Sequence, residues 1–113
     1  MNLKIKLAIS DDNATFMGIG LVWLVRGIIE HGSVRQAAAS MGMSYPKAVK
    51  ILARLEEGLG FPVIERKRGG AAGGGAVVTE KGLEFINRFS DFHKKICDFA
   101  NHEFSQSFSP GEN

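Results

Sequence analysis

The chain has 113 residues, of which 44% are hydrophobic, and its formal net charge is +2. A chain of this length folds as one domain, and its single cysteine excludes an internal disulfide. No apolar run reaches the roughly eighteen residues that a membrane span needs, and the first residues lack the features of a signal peptide. We therefore expect a soluble, cytoplasmic protein that has no membrane partner.

The first predicted element is a β-strand. Residues 3–9 alternate between apolar and mostly polar side chains, with the period of a half-buried strand. A polar turn is expected at residues 10–13, and a helix is predicted from about Phe16 to His31. This helix is apolar nearly all round, which indicates that it buries its second face, with Trp23, in a partner.

Residues 32–56 predict two short helices around a four-residue turn, which is a helix-turn-helix. Ser33 and Ser44 are placed to cap the two helices, and Gly42 stands where a left-handed residue ends the first one. Pro46 falls in the first turn of the second helix, where its missing N–H costs nothing. The predicted inner faces consist of Ala37, Ala38 and Met41 in the first helix and of Val49, Leu52 and Leu55 in the second.

The outer face of the second helix then carries Tyr45, Lys47, Lys50 and Arg54. These are side chains that bind phosphates and base edges. Residues 33–68 hold seven Lys/Arg and three Asp/Glu, whereas residues 69–113 hold four and six, so positive charge is concentrated around the motif. A polyanion is the simplest partner for such a stripe. The alternative is an ordinary helical hairpin whose cations are merely solvated.

A β-hairpin is predicted after the helix-turn-helix. Strand-like residues 62–68 precede a glycine- and alanine-rich tract at residues 69–76, and Val77 and Val78 form a short second strand. A hairpin in this position is a wing, and the N-terminal strand is expected to pair beside it as a third strand. The glycine tract lacks the Gly-Lys-Ser/Thr ending of a phosphate-binding loop, which argues against a nucleotide site.

A long helix is predicted to begin after Thr79, its cap, and to run to about Phe104. Its apolar residues recur at spacings of four and three over two heptads, which is typical of a seam that pairs helices. The predicted dimer contacts are Trp23 and the seam residues Phe85, Phe89, Phe92, Ile96 and Phe99. The alternative is that this helix packs only within its own domain.

The remaining features of the long helix indicate no further site. His93, Cys97 and His102 lack supporting carboxylates, so we expect packing or solvent residues there and no metal. No nucleophilic triad or carboxylate pair is apparent, and we expect neither catalysis nor a cofactor. Residues 1–104 are thus the predicted domain, and the polar residues 105–113 are predicted to be a disordered tail.

Two stretches of the sequence carry a family resemblance. Gly32-Ser33-x-x-x-Ala37-Ala38-x-x-Met41-x-x-Ser44-x-Pro46 resembles the DNA-binding domain of the LysR and ModE regulators. The glycine-rich stretch from Glu65-Arg66 to Thr79-x-x-Gly82 is more similar to the ModE wing, whereas Pro46 is closer to LysR usage. The resemblance implies a mainly α winged helix-turn-helix with a small β-sheet, an N-terminal strand and a long C-terminal dimerisation helix.

The resemblance also implies a function, namely sequence-specific binding of double-stranded DNA by a homodimeric transcriptional regulator. Tyr45, Lys47 and Lys50 are expected to contact base edges, and the neighbouring cations and Ser33 are expected to contact phosphates. The predicted DNA contacts are Ser33, Arg35, Gln36, Ser44, Tyr45, Pro46, Lys47, Lys50, Arg54, Arg66, Lys67, Arg68, Gly73 and Gly74.

ModE proteins that sense molybdate carry a separate oxyanion-binding region after this domain, so molybdate binding is not expected of residues 1–113. The competing class of function is a protein-interaction module, in which the seam and the apolar first helix serve a regulatory partner and DNA binding has been lost.

Overall fold

A computed structural model describes residues 1–67 and 75–108, which form four helices and two separate two-stranded antiparallel sheets. Three of the predicted DNA contacts, Arg68, Gly73 and Gly74, lie outside the described residues, as does the end of the predicted tail at 109–113. The elements in chain order are β1 (Ala8–Ser10), β2 (Thr15–Gly18), α1 (Ile19–His31), α2 (Val34–Ser40), α3 (Tyr45–Leu59), β3 (Ile64–Lys67), β4 (Gly75–Val78) and α4 (Glu80–Ser107).

Helix α1 is the centre of the core. Val22, Leu24, Val25 and Ile28 are completely buried, because α1 packs against α2 on one side and against α4 and β4 on another. The apolar character of this helix on two faces is therefore satisfied mostly within its own domain, and the prediction that its second face needs a partner was wrong for these residues. Two of its large apolar side chains, Trp23 and Ile29, stay 58% and 51% exposed.

The N-terminal region differs from the prediction. β1 pairs with β2, with Ala8 opposite Gly18, and this hairpin is separate from the sheet of β3 and β4. The expected third strand of the wing was therefore wrong, and α1 begins three residues later than predicted. The cause is the turn, because the Asp11 carboxylate accepts hydrogen bonds from the backbone N–H groups of Asn13 (2.9 Å) and Ala14 (3.1 Å) and so reverses the chain.

The helix-turn-helix has the predicted caps. Ser33 Oγ accepts from the N–H of Gln36 at 3.1 Å, and Ser44 Oγ accepts from that of Lys47 at 3.3 Å. Gly42 follows α2 with a φ of +67°, the left-handed conformation that glycine adopts without steric cost. The inner faces are largely as predicted, with Ala37, Ala38, Leu52 and Leu55 buried, except that Ala48 rather than Val49 is the buried residue of the first turns of α3.

The wing is fixed to the domain at its base. Glu56 Oε2 accepts from the N–H groups of Val63 (2.7 Å) and Ile64 (3.0 Å), and the N–H of Thr79 donates to the carbonyl of Val63 (2.8 Å). On the other strand, the N–H of Ala76 donates to the carbonyl of Gly32 (2.9 Å). These bonds hold the hairpin beside the α1–α2 junction.

Helix α4 is capped by Thr79, whose Oγ1 accepts from the N–H of Gly82 at 3.0 Å, as predicted. Its first half packs on α1, where Ile86 and Phe89 join the core. The helix extends to Ser107, so the prediction of disorder was wrong for residues 105–107. Within residues 1–67 and 75–108, no helix is both long enough and apolar enough to cross a membrane.

Candidate nucleic-acid interface

The N-terminal half of α3 presents a cationic surface. Lys47 and Lys50 are one turn apart on the helix, and both are exposed, as are Ser44 and Pro46 beside them. In the described part of the chain, neither lysine ammonium lies within 4.0 Å of a carboxylate. The positive end of the α3 dipole adds to their field. This end of the helix is therefore suited to an anionic ligand.

A cluster of two arginines around Tyr45 continues this surface. The guanidinium carbon of Arg35, from α2, lies 4.1 Å from the centre of the Tyr45 ring. The guanidinium carbon of Arg66, from β3, lies 5.9 Å from the same centre, and its Nη1 donates to the Tyr45 hydroxyl at 2.8 Å. This hydrogen bond and the positive charge of Arg66 lower the pKa of Tyr45 below its ordinary value. The helix-turn-helix and the wing thus meet at one aromatic ring.

Arg54 was predicted to contact phosphate, but the structure gives its guanidinium partners within the fold. It binds the Asp11 carboxylate, the Ala14 carbonyl (2.9 Å) and Glu57 Oε1 (2.9 Å), and its side chain is only 21% exposed. The pKa of Asp11 is lowered, first by the N–H groups of Ala14 and Asn13 and then by Arg54. Arg54 joins α3 to the β1–β2 turn, so we leave it out of the proposed interface.

The other predicted contacts lie on the elements that form the Tyr45 cluster or next to them. Gln36 on α2 and Lys67 on β3 are exposed, whereas Ser33 is half-buried and its hydroxyl is used as the cap of α2. The bond between Ala76 and Gly32 brings the wing strands next to the start of α2. Contacts at the start of α3 join Arg35, Tyr45 and Arg66, and the other predicted DNA contacts within the described residues, apart from Arg54, lie on or next to the same elements α2, α3 and β3.

The predicted dimer seam divides into two parts. Phe89 is 3% exposed and Phe85 is half-buried against the core, so both are used within the domain. Phe92 and Phe99 are 50% and 65% exposed, and Ile96 between them is half-buried. The second half of the seam, Phe92 to Phe99, is the part that remains accessible to another molecule.

Among residues 1–67 and 75–108, no three His, Cys, Asp or Glu side chains are grouped as metal ligands. His93 and Cys97 do lie together, with 3.6 Å between Nδ1 and Sγ. Sequence reasoning missed Asp11 and Glu56, which position α3 and the wing. The polar turn at residues 10–13 was a signal for Asp11, whereas no local pattern distinguishes Glu56 from any other glutamate near a helix end.

Comparisons with known proteins agree with this geometry. A family model described as bacterial regulatory helix-turn-helix protein, lysR family, matches residues 24–83. Molybdenum-pterin-binding protein MopB of Rhodobacter capsulatus is 32% identical over 97 residues, which cover 85% of this chain and 36% of that protein. MopA of the same organism is 32% identical over 83 residues, which cover 74% and 31%. The chain therefore spans only about a third of the length of these relatives.

Two solved structures have a similar fold. The crystal structure of a BenM DBD/benA site 1 DNA complex has a TM-score of 0.60 at 18% identity and covers 83% of this chain and 100% of the other. A CbnR DBD–DNA complex has a TM-score of 0.54 at 22% identity, with coverage of 80% and 94%. At these identities the likeness shows the fold, a mainly helical winged helix-turn-helix. Because the family model covers more than half of the chain, the protein belongs to the LysR family of bacterial regulatory helix-turn-helix proteins.

Proposed function

We propose that this chain binds double-stranded DNA sequence-specifically and regulates transcription as a homodimer. The observation that carries the proposal is the cationic surface at the start of α3. Lys47 and Lys50 are exposed, lack carboxylate partners in the described residues and are adjacent to the Arg35–Tyr45–Arg66 cluster. Family membership and the DNA complexes formed by two proteins of similar fold support the same function.

In the proposed complex, α3 enters the major groove with its N-terminal half. Lys47 and Lys50 then face base edges, because residues in the first turns of such a helix point into the groove. Arg35, Arg66 and Lys67 contact phosphates on either side, and the glycine-rich wing follows the backbone towards the neighbouring groove. Ser33, Gln36, Ser44 and Pro46 remain proposed contacts at the edge of this surface.

The experiment is a DNA titration at several salt concentrations with matched variants. Lys50→Ala removes one cation, so the slope of log K against log salt should decrease in magnitude by about one unit if the contact is to phosphate. If the contact is to a base edge, the affinity should instead fall for the preferred sequence by about 1–3 kcal/mol.

Lys94→Ala is the control, because Lys94 is also an exposed helical lysine but lies on α4 and is paired with Asp98 (2.7 Å). It should leave both quantities unchanged. If Lys50→Ala affected DNA binding no more than Lys94→Ala does, Lys50 would be excluded from the interface.

Homodimerisation is proposed to use the exposed part of the α4 seam, together with Trp23. Phe92→Glu is the test, because a buried unpaired carboxylate costs several kcal/mol at a helix pair. Phe92 is 50% exposed in the chain alone, so the variant should stay folded and sediment as a monomer with weakened DNA binding. A folded dimer of Phe92→Glu would contradict the proposed seam.

A protein-interaction module is the second candidate, favoured by the exposure of Trp23, Phe92 and Phe99. In that case the wild-type chain should show no affinity for duplex DNA at low salt.

The relatives' names refer to a molybdenum pterin, but the chain spans about a third of each. That molybdate does not bind these residues stays a prediction. A saturable rise in melting temperature with micromolar molybdate would contradict it.

A further inference from the structure

Tyr45 has two charged neighbours and occupies a junction between elements. It is half-buried at the first position of α3, with part of its side chain packed against the core. Arg35 comes from α2 and Arg66 from β3, so their guanidinium groups reach the ring from two different elements. In the described residues, neither arginine has a carboxylate within salt-bridge distance. Within the described residues, both guanidinium groups therefore contact Tyr45.

This geometry changes the role expected of Tyr45. A tyrosine that reads a base edge through its hydroxyl directs that group to the DNA, whereas here the hydroxyl oxygen already accepts a hydrogen bond of 2.8 Å from Arg66 Nη1 and is directed towards the wing strand. The ring face is occupied as well, because the Arg35 guanidinium lies 4.1 Å from its centre. Both contacts keep flexible arginine side chains in defined positions before any ligand arrives.

Order of this kind affects binding, because a free arginine loses rotamer freedom when it is held against a phosphate. An arginine that is already held by an aromatic ring and a hydrogen bond loses less rotamer freedom when it binds a phosphate. The hydrogen bond to Arg66 also links the wing strand β3 to α3, because it joins residues 21 positions apart in the sequence. Tyr45 therefore connects the two parts of the molecule that are proposed to contact DNA.

We propose that Tyr45 is a positioning residue, which holds Arg66 of the wing and Arg35 of α2 for phosphate contacts rather than reading bases itself. This inference rests on the proposed DNA binding. It replaces the expectation from the sequence that Tyr45 contacts a base edge.

The discriminating variant is Tyr45→Phe. Phenylalanine keeps the ring that packs on the core and faces Arg35, but it removes the oxygen that accepts from Arg66, so the fold should be retained. We expect DNA affinity to fall about two- to tenfold, which corresponds to the cost of ordering one long side chain. We also expect the salt slope to move towards that of Arg66→Ala, although no charge has been removed. A base-reading tyrosine would instead change the preferred sequence and leave the salt slope unaltered.

A double-mutant cycle separates these roles further. If Tyr45 acts through Arg66, the Tyr45→Phe/Arg66→Ala double variant should bind no more weakly than Arg66→Ala alone. If the two losses add, Tyr45 contacts DNA independently and the inference is overturned. Lys94→Ala again serves as the control for general effects on affinity.

A measurement without DNA tests the contact between Tyr45 and Arg66 independently of the proposed function. Tyr45 is the only tyrosine of the chain, so phenolate absorbance reports on it alone. Arg66→Ala should raise the midpoint of this titration relative to the wild type, because the hydrogen bond and the charge that favour the phenolate are lost. An unchanged midpoint would refute the contact itself. Failure of the wild type to bind DNA would refute the proposed function. If Tyr45→Phe bound DNA with the same affinity and salt slope as the wild type, only the inference about Tyr45 would be refuted.

Discussion

Gly58 is the position where the packing of α3 can be tested most sharply. A Cβ atom built on Gly58 would lie 2.3 Å from Cγ of Phe16 and 2.4 Å from its Cδ2, well inside van der Waals contact. Phe16 is 9% exposed and belongs to β2, so its ring is held between the β1–β2 hairpin and α3. Gly58→Ala therefore requires the ring, and the hairpin with it, to move.

Two effects of opposite sign determine the outcome. Replacing glycine by alanine inside a helix stabilises it by up to about 1 kcal/mol. Overpacking a close contact in a core costs about 1–3 kcal/mol. Because the clash here involves a buried ring, we expect a net loss of about 1–2 kcal/mol, or roughly 5–15 °C in melting temperature for a domain of this size.

Gly20→Ala on α1 is the matched control, since a Cβ there meets no atom within 4 Å. It should stabilise the protein by about 0.4–1 kcal/mol. Thermal and urea unfolding followed by circular dichroism measures both variants. A Gly58→Ala protein as stable as Gly20→Ala would refute the packing of Phe16 against α3.

Two further predictions concern the contacts that position α3 and the wing. Glu56→Ala leaves the N–H groups of Val63 and Ile64 without their acceptor and should lower the free energy of unfolding in urea by about 1–3 kcal/mol. Glu56→Gln keeps one acceptor oxygen and should lower it less, and equal stability of all three proteins would contradict this role of Glu56. The pKa of Asp11 in the folded protein lies below its ordinary value of 3.8, so its contribution to stability is present at neutral pH and is lost as the pH falls through the lowered pKa. The stability difference between wild type and Asp11→Asn should therefore shrink between pH 7 and pH 3, and a constant difference would exclude this role of Asp11.

Local chemistry explains which elements were predictable from the sequence. The caps at Ser33, Ser44 and Thr79 depend on hydrogen bonds that span three residues, and Gly42 depends on its own φ, so each has a short sequence signal. The helix-turn-helix and the start of α4 followed from these signals.

The β1–β2 hairpin was not predictable in the same way. Phe16, Met17 and Ile19 continue into the apolar run of α1, and in the sequence they look like its first turn. In the structure, the Asp11 turn and the contact of Phe16 with Gly58 place Phe16 and Met17 in a strand. The second cause joins residues 42 positions apart, so no local pattern contains it.

In the candidate site, too, features with a local sequence signal were predictable and those set by distant residues were not. Periodicity placed Lys47, Lys50 and Arg54 together on α3, but the partner that takes up Arg54 is Asp11, 43 residues away. Likewise, heptad spacing does not distinguish Phe89, which is buried in its own domain, from Phe99, which is 65% exposed. Both distinctions arise from tertiary packing, which the spacing of residues along one helix does not encode.

The cationic surface of α3 and the wing is proposed to bind duplex DNA. The most direct test of this binding is a fluorescence-anisotropy titration of the wild-type chain with labelled random-sequence duplex. The titration is repeated between about 50 and about 200 mM salt, the range over which phosphate contacts change the affinity strongly. We expect saturable binding whose log K falls linearly with log salt, with a slope of about −0.9 for each phosphate contacted. Arg35, Arg66 and Lys67 are the proposed phosphate contacts of one chain, so the slope should be about −2.7 or steeper. Absence of binding at the lowest salt, or an affinity that does not depend on salt, would contradict it.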